Sequence, residues 1–190
     1  MLRTIRLIRS DLRAKALWSY DDRSWQSQLR ALAADGSAAM IVYRAMQAAR
    51  RHHLPAFEML MNKVSSSLLG CVIGRGADFG PSFVLIHSNG VVINGRVRGG
   101  SGVFIEHQVT IGAEKRQSPV IGNNVFIGAG AKIVGSVTIA DDVRVGANAV
   151  VTRDVPANTT VVGVPARPIG SRRQAPDVSV AQTPSLDAPS

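Results

Sequence analysis

The sequence predicts a mainly β fold, a parallel β-helix of about five coils preceded by a small α-helical region. Three observations carry the expectation. Stepping by six from Ile73 lands on Phe79, Leu85, Val91, Val97, Val103, Val109, Lys115, Ile121, Ile127, Ile133, Ile139, Val145 and Val151, and all except Lys115 are large and apolar. Glycine often follows directly, as at Gly74, Gly122, Gly128 and Gly146, and smaller residues recur four places on, as at Ala77, Ala131 and Ala149. Glycine numbers 18 and aromatics make up only 5%, a composition that suits a narrow solenoid. A period of six fits neither an amphipathic helix nor a simple alternating strand. It fits short strands joined by tight corners, with about 18 residues closing one triangular coil.

The elements follow in order. Residues 1–70 read as an α-helical N-terminal region. Leu2, Ile5, Ile8, Leu12 and Ala16 form a stripe at helical spacing, opposed by Arg3, Arg6, Arg9, Arg13 and Lys15. A connection over 19–24 leads to a second helix over 24–34, which Asp35-Gly36-Ser37 should break. A third helix is expected over 37–53 and a fourth over 55–68, with Pro55 in its first turn. Residues 71–170 hold the hexads. The polar stretch 113–119, which contains Lys115 and ends in Pro119, reads as a loop extruded from one corner. Residues 171–190 read as a disordered tail.

Composition narrows the function classes. A single cysteine excludes an internal disulfide framework and a Cys-rich zinc site, and Cys71 reads as a buried thiol in a reducing compartment. No metal is expected. The net charge of +9 invites a polyanion, yet residues 1–70 hold 11 basic against 5 acidic groups while 71–170 hold 9 against 6. No aromatic-basic platform accompanies this charge, so nucleic acid is not expected. The N-terminus lacks the run of about 20 apolar residues that a membrane span needs. It also lacks the apolar core of a signal peptide, which points to a cytoplasmic protein. The basic helical segment could still make peripheral contact with an anionic membrane.

The stretches IHSNGVVIN (86–94), HQVTIG (107–112), IGNNVFIGAGAKIVG (121–135), VGANAVVTRDVP (145–156) and VVGVPARPI (161–169) resemble the serine acetyltransferase-like branch of the hexapeptide-repeat acyltransferases. LIRSDLRAKAL (7–17) and Tyr43-Arg44 resemble short members of the same branch. The resemblance implies a left-handed β-helix that assembles as a homotrimer or a dimer of trimers. It implies acetyl-CoA as donor, held in a cleft between neighbouring β-helices, and direct transfer to an acceptor hydroxyl or amine.

Within that resemblance His87 matches the general-base histidine. Neutral imidazole accepts a proton near physiological pH, which an attacking alcohol requires. His107, twenty residues on, should lie beside it in the next coil and line the site. His52 and His53 adjoin Arg50 and Arg51 and read as solvated. Gly112, Ala129 and Ala147 match positions along the thioester and pantetheine arm, and Arg144, Arg153 and Arg167 match the region that meets CoA phosphates. The departures bear on the acceptor. The family aspartate that orients the base aligns with Val72, the one before the histidine with Ile86, and an Arg-His pair of the loop with Gln117 and Ser118. Glu106 is a candidate replacement for the orienting acid, and Asp78 a weaker one. Burying a zwitterion without paired charges is costly. The leading expectation is therefore an acetyl-CoA-dependent O-acetyltransferase acting on a carbohydrate or glycolipid precursor. L-Serine O-acetyltransfer and a non-catalytic β-helix scaffold stand as alternatives.

Overall fold

The computed structural model describes residues 2–169, so the tail expected over 171–190 lies outside the described residues. Four helices come first: α1 (Leu2–Tyr20), α2 (Trp25–Ala33), α3 (Ser37–Arg51) and α4 (Pro55–Leu68). The Ser24 hydroxyl caps α2 by accepting from the Ser27 amide at 3.2 Å. Gly36 turns the chain into α3 with φ +79°, a left-handed conformation that glycine adopts without strain. Pro55 opens α4, where its missing N–H costs nothing.

A triangular solenoid follows. Its first coil is β1 (Val72–Ile73), β2 (Asp78–Phe79) and β3 (Val84–Leu85); its second is β4 (Val92–Ile93), β5 (Arg98–Gly99) and β6 (Phe104–Ile105). The third is β7 (Thr110–Gly112), β8 (Val120–Ile121) and β9 (Phe126–Ile127); the fourth is β10 (Lys132–Val134), β11 (Thr138–Ile139) and β12 (Arg144–Val145). A fifth coil has β13 (Val150–Val151), a single bridge at Val155 and β14 (Thr160–Val162). Through the first four coils every third strand stacks in parallel, and β13 and β14 continue two of the three flat faces, which are headed by β1, β2 and β3. The closing strand β15 (Arg167–Pro168) runs antiparallel to β14.

The register corrects the hexad count. Ile73 pairs with Ile93 and Leu85 with Ile105, so the first coil is longer than 18 residues. The extra pair lies in the corner between Leu85 and Val91. A step of six therefore lands on Val91, Val97, Val103 and Val109, each two places before the strand position. These residues are buried because residues i and i+2 of a strand share a face. The loop at 113–119 adds four residues and returns the pattern to frame at Ile121, which is why Lys115 breaks it.

The α1 stripe buries only toward its C-terminal end. Leu2 and Ile5 are exposed, Ile8 and Leu12 are half-buried, and Ala16 is buried together with two charged residues, Asp11 and Lys15. The reason is the surface beneath it. The first coil ends in strand carbonyls with no further coil above, and buried acceptors need donors. The helices supply them. Asn62 donates to the Ile73 carbonyl at 2.8 Å, Ser65 to Cys71 at 2.8 Å and Tyr43 to Ala77 at 3.2 Å. Arg44 donates to Phe79 at 2.9 Å and Gly80 at 2.6 Å, and Lys15 donates to Leu85 at 2.8 Å. Asp11 grips the fully buried Arg44 through two oxygens, at 2.7 and 2.9 Å.

Candidate active site

The registers place one residue of each coil at the same corner, two positions past Leu85, Ile105, Ile127, Val145 and Val161. In order these are His87, His107, Ala129, Ala147 and Gly163. The corner is continuous along the backbone: Gln108 donates to Asn89 at 2.9 Å, Gly130 to His107 at 2.9 Å and Asn148 to Ala129 at 2.8 Å. Two imidazoles therefore head a track of residues with small or no side chains. Such a track leaves room for a long, thin ligand to lie against backbone.

His87 and His107 lie side by side in adjacent coils as the spacing predicts, their rings edge-on with centroids 5.9 Å apart. The long first coil is what brings them into register. The His87 side chain is half exposed, and its Nδ1 lies 2.9 Å from Oδ2 of Asp35. The carboxylate against His87 is thus that of Asp35, from the α2–α3 turn, and not that of Glu106 or Asp78. Glu106 faces its own neighbour, with Oε2 3.5 Å from Nδ1 of His107. Asp78 accepts from Gln47 at 2.8 Å under the helical cap. The sequence signal for Asp35 was only its turn motif, because its partner lies 52 residues away.

Gly112, Gln117 and Ser118 lie at the other edge. Gly112 ends β7 and Gln117 and Ser118 follow it, whereas His87 precedes β4, so the two sets occupy opposite ends of the face built from β1, β4, β7, β10 and β13. The loop is a tight two-residue turn rather than a long arm. Glu114 and Gln117 exchange backbone hydrogen bonds of 2.9 and 2.8 Å, and both Lys115 and Arg116 at the tip have positive φ. Ser118 reaches back to Asn94 at 3.1 Å.

The three arginines fall in two places. Arg144 lies on the outer face of β12, 4.6 Å from the Phe126 ring centroid, in a row that Trp18 covers. Arg153 and Arg167 line a cavity of about 170 Å³ at the last coil. A cavity of about 1050 Å³ lies between α1 and a different corner and is lined in part by Arg6, Arg9, Arg13 and Arg23. It holds much of the N-terminal charge, and His87 is not among its lining residues. His52 and His53 are exposed in the α3–α4 connection. Among the described residues no helix is long and apolar enough to cross a membrane.

Comparison with known proteins bears on this arrangement. The bacterial transferase hexapeptide (six repeats) family matches residues 118–153. A serine acetyltransferase of Synechococcus elongatus is 38% identical over 138 residues, covering 70% of this chain and 57% of that protein. The chain thus spans little more than half of that relative. A serine acetyltransferase of Helicobacter pylori is 35% identical over 142 residues, covering 73% of this chain and 83% of that protein. Among solved structures, Neisseria gonorrhoeae serine acetyltransferase matches with a TM-score of 0.82 and 28% identity, over 97% of this chain and 73% of that one. The same enzyme in complex with serine matches at 0.79 and 30%, over 88% and 70%. The Brucella abortus enzyme in complex with coenzyme A matches at 0.77 and 30%, over 87% and 67%.

Proposed function

Since the chain belongs to the serine acetyltransferase family of left-handed β-helix, hexapeptide-repeat acyltransferases, we propose that it is an acetyl-CoA-dependent O-acetyltransferase whose acceptor is L-serine. The observation that carries the reading is the Asp35–His87 pair at the head of the small-residue corner. A carboxylate on Nδ1 favours the tautomer with the proton there, which leaves Nε2 as the base. His87 Nε2 takes the proton of the serine hydroxyl as its oxygen attacks the thioester carbonyl. The tetrahedral intermediate collapses, the C–S bond breaks, and the imidazolium returns the proton to the departing thiolate. Backbone amides along the track are suited to the developing oxyanion.

Serine replaces the carbohydrate acceptor as the leading reading for two reasons. The relatives and solved structures quoted above carry serine acetyltransferase names. The charges that seemed missing also have local substitutes. Asp35 offers a carboxylate for the ammonium beside the base, and Lys115 and Arg116 offer cations immediately before Gln117 and Ser118. Those cations sit on the opposite edge from His87, so a second copy in a trimer would supply them across the cleft. Gln117 and Ser118 keep a neutral carbohydrate hydroxyl as the second reading.

Purified full-length chain is assayed for CoA release with serine and with a panel of sugars. Saturable release with serine is expected. Release that depends on a sugar and not on serine overturns the acceptor assignment.

A further inference from the structure

Lys15 is a charged side chain only 2% exposed, in the middle of a helix whose other arginines face solvent. Its ammonium donates to three backbone carbonyls: those of Asp35, Leu85 (2.8 Å) and Ile86 (3.4 Å). An ammonium has three N–H groups, so its donors are all engaged. The acceptors belong to the two segments that carry the Asp35–His87 pair. One is the main chain of Asp35 itself; the other two immediately precede His87. Gly36 makes the approach possible, since a side chain there would strike the Leu85 carbonyl and crowd the ammonium.

We propose that Lys15 is a positioning residue, a buried cation that clamps the Asp35 turn onto the strand end before His87 and thereby holds the pair in register. The inference rests on the reading of His87 as the base. The groups facing Lys15 agree with it. The Asp35 carboxylate favours its charged form, while burial, the larger effect, pushes its pKa down to about 8. Asp11, on the preceding turn, is fully engaged with Arg44 and the Phe83 amide. Aliphatic residues would bury at that site at lower cost, and they would leave the two segments unjoined.

The test compares Lys15→Met, Asp35→Asn and the double variant in the full chain. The first readout is the 15N spectrum of the His87 ring, which reports its tautomer without any substrate. The second is the separation of kcat from KM for acetyl-CoA. Lys15→Met is expected to lose the Nδ1–H preference as Asp35→Asn does. It should lower kcat by about 10²-fold and leave KM for acetyl-CoA within about twofold, since Lys15 lies off the donor track. The double variant should be no worse than Asp35→Asn, because the two act through one contact. If Lys15→Met fails to fold, Lys15→Gln, which keeps a donor for one carbonyl, is measured in the same way. An unchanged tautomer and kcat, with only a loss of melting temperature, would show a simple end cap and overturn the proposal. Wild-type inactivity toward serine would sink the acceptor assignment but leave the tautomer result to decide this one.

Discussion

The split of the site between two edges of one face makes a quantitative prediction. His87→Ala disables one edge, and Lys115→Ala with Arg116→Ala disables the other. In the proposed ring of three chains each site would join the His87 edge of one chain to the loop edge of its neighbour. Let the two variants be co-expressed with different tags and purified on both, so that every ring contains both kinds. Any such ring has a single boundary where an intact His87 edge meets an intact loop edge. One site in three is restored, or about 33% of wild-type turnover, whether the ratio is two to one or one to two. His87→Ala alone retains about 1% or less, the loss expected for a general base. CoA release at low serine reads the result. Activity no greater than the sum of the two parents would refute a site shared between chains.

Three further outcomes are expected. Arg44→Met leaves the Asp11 carboxylate buried without its partner, so it should cost about 3–5 kcal/mol and lower Tm by roughly 10 °C in thermal denaturation; a loss below about 1 kcal/mol would show that the cap tolerates an unpaired acid. Folded Lys15 gives up its proton near pH 8 while the unfolded chain holds it to about 10.5, so unfolding takes up a proton between those values and stability rises across that window; urea titrations should show a shallower rise in Lys15→Met, and an identical slope counts against the assignment. Burial pushes the Cys71 thiol up to about 11, so a thiol reagent at neutral pH should modify the chain only as fast as it unfolds, and rapid labelling of native protein would contradict the packing.

The solenoid was legible because its period belongs to neither common element, and the helix breaks at Gly36 and Pro55 were legible because each residue does one local thing. The register was not. Inward-facing residues two apart are interchangeable to a pattern of six, so Val91 concealed a corner lengthened by two. That corner is the one that carries His87, and its length is what aligns His107. Asp35 was visible only as a helix breaker. Its role depends on a contact made across the fold, and no spacing rule reports that. The burial of Lys15 was hidden for a related reason: a lysine opposite an apolar helix stripe gives no sign of the strand carbonyls that it meets.

The two ends of the solenoid share a consequence. A parallel coil can in principle go on adding coils, and an open end is a template for another chain. Here the upper carbonyls are occupied by Lys15, Arg44, Tyr43, Asn62 and Ser65, and at the lower end β15 lies against β14 in the opposite direction. Among the described residues, the capped upper carbonyls and the antiparallel β15 against β14 oppose head-to-tail growth in register. In the proposed trimer, association would fall to the flanks of the prism, where Val72 and Val92 face outward on the face that carries both edges of the proposed site. Under that proposal, opposing fibre growth and assembling a cleft between chains become one geometric requirement.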